Sequence, residues 1–365
     1  MMVLADCGET LDEGERFAFL APDNQTGDAS LSWSTEVIHR GLAAAVGAGV
    51  AADTVAEARL APGFNRIVYS TLTRTTTPGE VRMHTAIFDQ AGHQFNREYT
   101  VSGDVLQVIN RMATSINPDA NALGAKSVDV LRKWPVFTGD MANFEGKCLA
   151  LVEAEPGFGA ALGSCAEQLV NSGRLESVRA LLHRIPAERS EEFSPDVQFV
   201  FGQSLMALME YAKAADVYRS VVLTRPVVKN LLGYAEALAG RCDAGKQAIE
   251  EYGRQPGQEP NALDSLGEIS YFCGQYKDAE KYFLASEAKY LSDPRGVMEP
   301  VKAAASRMMT GDAAGADKIA TSYFQKIAKS NPQAVATLQP VWTTIMKAPI
   351  EDRRKLVESS LIRRP

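Results

Sequence analysis

The sequence predicts an α+β protein in which a small α/β amino-terminal domain precedes an all-α superhelical solenoid. Three observations carry this prediction. Residues 81–88 alternate between apolar and polar side chains, as in a strand with one buried face. Residues 104–116 instead place apolar side chains at helical spacing. Over residues 123–333, small residues, glycines and aromatics recur about every 34 residues, a period typical of stacked helical hairpins.

The amino-terminal domain is predicted to span residues 15–122, with elements in the order β-α-α-β-β-β-α. Pro78-Gly79 and Asp89-Gln90-Ala91-Gly92 provide the turns between its last three strands. The predicted elements are a strand at 16–20, helices at 31–46 and 51–60, strands at 66–72, 81–88 and 95–101, and a helix at 104–116. Strands and helices in this order predict a mixed α/β layer structure.

A polar loop follows the first predicted strand. It reads Asn24-Gln25-Thr26-Gly27-Asp28, and Leu31 and Trp33 then begin the first helix. This pattern resembles the TolB-amino-terminal-like domain over roughly residues 15–118, although Pro22-Asp23 stands where that family has proline-phenylalanine. The resemblance implies an α/β domain without a catalytic role. Such domains precede helical repeats in bacterial envelope lipoproteins and in the sensor regions of membrane-bound kinases and cyclases.

The clearest repeat begins near Pro260. It carries small residues, glycine and aromatics at the five positions that define the tetratricopeptide (TPR) consensus, which are Gly267, Gly274, Tyr276, Ala279 and Phe283. The segment therefore resembles a TPR unit. Small residues are needed where the two helices of a unit cross, because larger side chains would hold the backbones apart. Glycine suits the turn between the helices.

The same register predicts about six TPR units within residues 123–333, followed by a capping segment at 334–365. In the cap, Trp342 is expected to cover the end of the hydrophobic core. The unit at 125 is degenerate, since Pro135 lies inside its first helix and Phe144 replaces the expected alanine. The units are predicted to start near residues 125, 159, 195, 226, 260 and 297.

The bulk composition excludes several classes of protein. Apolar residues make up 45% of the 365 residues, which is enough to bury a core and argues against global disorder. The net charge of −7 argues against sequence-independent nucleic-acid binding, which requires a basic face. No apolar run reaches the length of roughly 18 residues that spans a bilayer.

The five cysteines are odd in number, and none are in a CxxC spacing, so neither a zinc site nor a dense disulfide framework is predicted. Cys148, Cys165, Cys242 and Cys273 fall in predicted helices and are interpreted as small buried apolar residues. Residues Leu4-Ala5-Asp6-Cys7-Gly8 resemble the end of a bacterial lipoprotein cleavage site, with Cys7 as the lipidated residue, although Asp6 is unusual there. An ordinary frayed terminus is the alternative. The resemblance implies a periplasmic or envelope-anchored protein; a cytoplasmic location stays open.

Residues that could carry chemistry are few. His84 and His93 lie on adjoining predicted strands, but without a third ligand they do not predict a metal site. Gly157–Gly163 superficially suggests a nucleotide loop, yet it lies on a predicted helix with no strand before it. The polar loop at 24–28 is interpreted as a turn with side-chain-to-backbone hydrogen bonds. No cofactor, metal or catalytic residue is therefore predicted.

The predicted working surface is the concave face of the solenoid. The TPR resemblance places it on the first helix of each unit, where it is rich in aromatic, methionine and polar side chains that suit a peptide. It lacks the lysine and asparagine clamp with which chaperone-binding TPRs hold an acidic tail. The predicted partner-binding residues are Phe199, Gln203, Asn230, Tyr234, Asp264, Glu268 and Tyr271, with Met206, Asn261, Met298, Val301 and Met308 in the same positions of their units. The alternative is that some of these residues only pack against the amino-terminal domain.

The sequence thus favours a non-enzymatic scaffold that binds a partner protein or peptide and contacts a membrane only through lipidated Cys7. The alternative function is a sensor whose amino-terminal domain binds a small molecule or a glycan. Neither function involves nucleic acid.

Overall fold

A computed structural model describes residues 15–46, 49–52, 54–56, 65–185, 193–222, 228–289 and 298–362. These residues form a mixed sheet in the amino-terminal part, followed by helices, which confirms the α+β class. By its contacts the chain divides into two compact units, residues 1–204 and 205–365. The predicted domain boundary at 122–123 lies inside the first unit.

The first unit contains a sheet with the described strand order β3-β1-β4-β5-β6 and a short β2 beside β4. Strand β1 pairs in parallel with β3 and β4, whereas β4, β5 and β6 form an antiparallel meander. The turn at Asp89–Gly92 joins β5 to β6 as predicted. The strands are β1 Phe17–Leu20, β2 Asp23–Asn24, β3 Gly49–Ala52, β4 Arg66–Arg74, β5 Val81–Asp89 and β6 Gln94–Gly103.

The prediction of a helix at residues 51–60 is wrong at its start, because Gly49–Ala52 is strand β3, whereas residues 55–56 are helical. Val50 pairs with Ala18 and Ala52 with Leu20, so β1 provides the hydrogen bonds that hold this segment extended. A short apolar run is compatible with either a helix or a buried strand, and the neighbouring strand decides between them. Residues 53 and 57–60 of that prediction lie outside the described residues.

Two helices, α1 (Ser32–Val46) and α2 (Val105–Ile116), contact each other and cover one side of the sheet. Asp104 caps the start of α2. Its side chain accepts a hydrogen bond from the amide of Gln107, and the side chain of Gln107 accepts one from the amide of Asp104. This reciprocal capping box satisfies two amides that have no partner inside the helix. Both helices were predicted within one residue of these bounds.

The remaining described helices of the first unit are α3 Val128–Arg132, α4 Met141–Ala154, α5 Gly159–Asn171, α6 Leu175–Arg184 and most of α7 Pro195–Ala207. Helix α3 is only five residues long and ends before Pro135. That proline, which made the first predicted repeat degenerate, therefore lies after a helix and not inside one.

The second unit contains α8 Tyr211–Val221, α9 Val228–Leu238, α10 Cys242–Gly253, α11 Glu259–Phe272, α12 Tyr276–Lys289, α13 Glu299–Met309, α14 Ala313–Ile327, α15 Pro332–Lys347 and α16 Ile350–Ser360. Consecutive helices contact each other, so that α9 and α10, α11 and α12, and α13 and α14 form hairpins. The turns inside these hairpins contain Gly240, Gly274 and Gly311, each at positive φ.

The helices of two hairpins approach very closely at glycines. A β-carbon on Gly267 of α11 would lie 2.6 Å from the ring of Phe283 in α12. A β-carbon on Gly233 of α9 would lie 2.3 Å from the side chain of Ile249 and 2.9 Å from the carbonyl of Gly245, both in α10. Because real β-carbons do not make contacts this short, only glycine allows these crossings.

Trp342 lies in the hydrophobic core of the second unit, with only 3% of its surface exposed. Its neighbours there include Phe324 and Ile345. Its indole N–H donates to the Asp317 carboxylate at 3.0 Å. Arg353 of α16 donates to the carbonyls of Met346 and Ala348 at the end of α15, where cations are favourable. None of the described helices is long and apolar enough to span a membrane.

The cysteine interpretation is wrong, because two disulfides are present. Cys148 of α4 is bonded to Cys165 of α5, and Cys242 of α10 is bonded to Cys273, which follows α11. The pairs are 17 and 31 residues apart, so no short spacing motif marks them. Helix packing alone brings the sulfurs together. Cys7 lies outside the described residues.

Candidate functional site

The first helices of the three hairpins in the second unit bring five polar side chains together. Asp264 and Glu268 are four residues apart and so project from the same face of α11. Lys302 from α13 reaches both of them, and Tyr234 from α9 reaches Glu268. Glu299 lies one turn before Lys302. We refer to Tyr234, Asp264, Glu268, Glu299 and Lys302 as the polar cluster.

Lys302 is the centre of the cluster. Its ammonium donates to Asp264 Oδ1 at 2.8 Å and to Glu268 Oε1 at 2.7 Å, and it lies 5.4 Å from the centre of the Phe283 ring. Burial by itself would lower the pKa of Lys302, but the charges of Glu268 and Asp264 outweigh burial and raise it. Lys302 therefore stays charged at neutral pH.

Tyr234 provides a second donor to Glu268. Its hydroxyl donates to Glu268 Oε2 at 2.6 Å, so both oxygens of this carboxylate are occupied. Burial, and then the neighbouring Glu268 carboxylate, raise the pKa of the Tyr234 hydroxyl well above its ordinary value. The hydroxyl consequently keeps its proton and acts as a donor.

Glu299 is the least satisfied member of the cluster. Only 4% of this residue is exposed, and its Oε2 has no hydrogen-bond partner in the part of the chain that the structure describes. Burial, and next the charge of Asp264, raise the pKa of Glu299 to about 7, against the opposing effect of Lys302. An unsatisfied buried carboxyl is costly, so its presence requires a physical reason.

The cluster contains three carboxyl groups and one ammonium, and therefore carries excess negative charge when all are ionised. The exposed fraction of the side chain is 8% for Lys302 and 22% for Asp264. Asp264 thus forms the side of the cluster nearest to solvent. Within residues 15–362, apart from the gaps given above, no group of three or more His, Cys, Asp or Glu is arranged to hold a metal ion.

Four of the predicted partner-binding residues thus belong to this face: Tyr234, Asp264 and Glu268 are in the cluster, and Asn230 lies one turn before Tyr234 in α9. Asn230 is half-buried, and its Oδ1 has no hydrogen-bond partner among the described residues. Asn261 is exposed and donates to the hydroxyl of Tyr252 at 2.8 Å.

The expectation that Tyr271 lines an accessible groove is wrong. Its side chain is fully buried in the hydrophobic core with Ala279 and Phe283. Val301 and Met308 are buried in the same core, each with no more than 6% of its surface exposed. Helix α11 is covered on more than one side, so a position-based rule cannot separate groove residues from core residues here. Of the other predicted residues, Met298 is half-buried and Met206 is buried. Phe199 is half-buried and Gln203 exposed, both in the first unit.

Glu299 and Lys302 were not predicted from the sequence. The signal was present in the segment Glu299-Pro300-Val301-Lys302-Ala303-Ala304-Ala305, where a single lysine lies among small apolar residues of a helix. A lysine at such a position is almost never fully buried without a partner. Its partners, however, lie 34 and 38 residues earlier in the chain, which spacing alone does not reveal.

Polar residues of the first unit serve local structure. His84 Nδ1 is hydrogen-bonded to Thr100, and His93 is hydrogen-bonded to Asp89. In the loop at 24–28, Asn24 accepts the amide of Thr26 and Asp28 accepts that of Ser30. These side-chain-to-backbone bonds confirm the interpretation of the loop as a turn. Cys7, the predicted lipidation site, lies outside the described residues.

Comparison with known proteins adds no relative. No protein-family model matches the chain, and a search of curated proteins finds no significant match.

Proposed function

We propose that the chain is a non-enzymatic scaffold of the TPR type, which binds a partner protein or peptide at the face formed by α9, α11 and α13. The observation that carries this proposal is the polar cluster, in which the partly exposed Asp264 occupies a position where the resemblance places ligand contacts. The unsatisfied Glu299, which the resemblance does not mark, belongs to the same cluster. A purely structural face would be expected to bury apolar side chains instead.

The close helix crossings support the repeat resemblance. Gly267, Gly233 and Gly245 occupy the small-residue positions of the consensus; Gly267 faces the aromatic ring of Phe283, and Gly233 faces Gly245. The hydrogen bonds of the cluster have the same period. Tyr234 and Glu268 are 34 residues apart, and so are Glu268 and Lys302. Three hairpins that each contribute a side chain at this interval are consistent with stacked repeats.

The disulfides support an oxidising compartment. Disulfides persist in the bacterial periplasm and in secreted proteins, and they are rare where glutathione and thioredoxin keep thiols reduced. Cys148–Cys165 and Cys242–Cys273 lie one in each unit. Together with the lipoprotein-like sequence around Cys7, they favour a protein of the bacterial envelope.

Peptide selection tests the binding function directly. The full oxidised chain is used to select ligands from a phage-displayed random peptide library, and the enriched peptides are synthesised for fluorescence polarisation. We expect Asp264→Asn and Asn230→Ala to weaken binding at least about tenfold, with the melting temperature of each variant measured to establish that it is folded. Asp243→Ala, an exposed change on α10, is the matched control and should bind as the wild type does. Failure to enrich any peptide, or equal binding by all variants, would contradict the proposal.

A second candidate function is favoured by one feature of the first unit. A pocket of about 380 Å³ lies on one face of β4 and β5, lined by Tyr69, Thr71, His84, Phe88 and Asp89 among others. The rings of Tyr69 and Phe88 meet edge to face with their centres 5.0 Å apart. Aromatic rings beside polar groups suit a small sugar, as in the sensor alternative.

Thermal-shift measurement of the full chain against a panel of mono- and disaccharides tests this second function. A ligand that binds the pocket should raise the melting temperature of the wild type and not of Tyr69→Ala. Arg74→Ala, an exposed change on the same strand, is the control. An unchanged shift in Tyr69→Ala would remove the pocket from consideration.

A further inference from the structure

The charges of the polar cluster are incompletely balanced. The single ammonium of Lys302 already makes hydrogen bonds to Asp264 and Glu268. Glu268 is further satisfied by the hydroxyl of Tyr234. No hydrogen bond from another member of the cluster reaches Oε2 of the third carboxyl group, that of Glu299.

The burial of Glu299 adds to this observation. Only 4% of Glu299 is exposed to solvent, yet its Oε2 has no hydrogen-bond donor among the described residues. Glu299 precedes Lys302 by one turn of α13, and the charges of Asp264 and Lys302 act on its pKa in opposite directions. A buried oxygen without a donor normally costs free energy, and a donor supplied by a ligand removes that cost.

We propose that the polar cluster binds a cationic side chain, lysine or arginine, of the partner peptide, paired with Asp264 and Glu299. This inference rests on the proposed function and specifies the partner's chemistry. Charge complementarity selects the occupant: a cation neutralises the excess carboxylate, whereas an anion would be repelled by it. Lys302 stays in place and holds Asp264 and Glu268 in position. The incoming cation is thus an addition to the cluster and does not replace Lys302.

Binding should depend on pH through Glu299. The charged groups that shift the pKa of Glu299 are Asp264 of α11 and Lys302 of its own helix. The charge of Glu299 in turn raises the pKa of Tyr323 in α14. Lys302 and Tyr323 have raised pKa values and do not titrate near neutrality. Ionisation of Glu299 as the pH rises through about 7 therefore adds one negative charge for the cation to neutralise.

The test uses two degenerate nonapeptide pools that differ only in the central residue, which is arginine in one and citrulline in the other. Citrulline replaces the guanidinium with a neutral urea of the same shape. Both pools carry fluorescein and are titrated with the full oxidised chain at pH 8 and at pH 6. We expect the arginine pool to bind about tenfold tighter at pH 8 and less than about threefold tighter at pH 6.

Variants locate the effect. Glu299→Gln and Asp264→Asn keep the side-chain volume and should each reduce the arginine preference at pH 8 to about threefold or less. Glu351→Gln makes the same chemical change at an exposed position at the start of α16 and should leave the preference unchanged. The melting temperature of each variant is measured to establish that it is folded.

The outcomes separate this inference from the proposed function. Equal binding of the arginine and citrulline pools, or a preference that survives in both cluster variants, overturns the inference and leaves peptide binding intact. Absence of binding by either pool contradicts both the inference and the peptide-binding function. A preference that disappears only in the two cluster variants supports both.

Discussion

The ring of Phe283 lies against the α-carbon of Gly267, at a distance that leaves no room for a β-carbon. An added β-carbon would come within 2.6 Å of the ring, and Phe283 itself is fully buried. The side chain cannot swing into solvent to relieve such a clash. The contact therefore fixes how closely α11 and α12 pack, and α11 carries two carboxylates of the polar cluster.

Gly267→Ala should destabilise the second unit by about 1–3 kcal/mol, because the core is overpacked. Phe283→Leu in the same chain should recover part of that loss by making room. Urea denaturation followed by circular dichroism measures both. Gly146→Ala is the control, because Gly146 lies inside α4 and no atom is within 4 Å of the added β-carbon. This substitution should stabilise the chain by about 0.5–1 kcal/mol. Equal effects of the two glycine substitutions would show that helix propensity, and not packing, is being measured.

Met209 should be replaceable by glycine with a gain in stability. It has φ +59 in the turn before α8, where Gly240 and Gly274 serve the equivalent turns of later hairpins, and it is 69% exposed. A left-handed conformation costs a residue with a β-carbon about 1 kcal/mol. Met209→Gly should therefore stabilise by about 1 kcal/mol, and Gly274→Ala should destabilise by a similar amount.

Denaturant midpoints at constant m-value measure these two changes. Gly274 has no atom within 4 Å of an added β-carbon, so its substitution reports backbone conformation alone. A destabilised Met209→Gly variant would contradict the prediction and would show that the methionine side chain contributes packing.

Glu299 should make stability fall as the pH rises. Its pKa is about 7 in the folded chain, above the ordinary carboxyl value of 4.5. Between these values the unfolded chain releases the proton while the folded chain retains it, so unfolding becomes easier by up to about 3 kcal/mol. Below about pH 4.5 the group is protonated in both states and has no effect.

Glu299→Gln lacks this titration and should become more stable than the wild type as the pH increases from 5 to 8. Free energies of unfolding at four pH values, taken as the difference between the two chains, isolate Glu299 from the other groups. Parallel curves would contradict the raised pKa. Glu351→Gln, which is exposed, should give such parallel curves.

Reduction of the disulfides should destabilise both units. The loop-entropy relation gives about 3 kcal/mol for the 17-residue separation of Cys148 and Cys165. For Cys242 and Cys273, which are 31 residues apart, it gives about 4 kcal/mol. Urea denaturation with and without a phosphine reductant, with the pairing verified by peptide mass mapping, measures these losses. The paired variants Cys148→Ser with Cys165→Ser, and Cys242→Ser with Cys273→Ser, should each reproduce one part of the loss. A stability that is unaffected by reductant would argue against both bonds.

Local pattern was sufficient for most of the amino-terminal elements. The alternation in residues 81–88 corresponds to β5, and the predicted turn at Asp89–Gly92 joins β5 to β6. The apolar spacing of residues 104–116 corresponds to α2. The segment at 49–52 was different, because small apolar residues do not favour helix or strand strongly, and pairing with β1 determined its conformation. Local preference decides an element only where it is strong.

For this protein, the sequence by itself determined the α+β class, the order of most elements and Gly267 as the small residue at which α11 crosses α12. Only the tertiary structure decided that Cys148 bonds to Cys165, that Tyr271 belongs to the core, and that Lys302 meets Asp264 and Glu268. The reason is the range of the interactions. Helix and strand preferences depend on residues within about four positions, whereas these contacts join residues 17 to 38 positions apart. Such pairs meet only when the packing angles of whole helices are set.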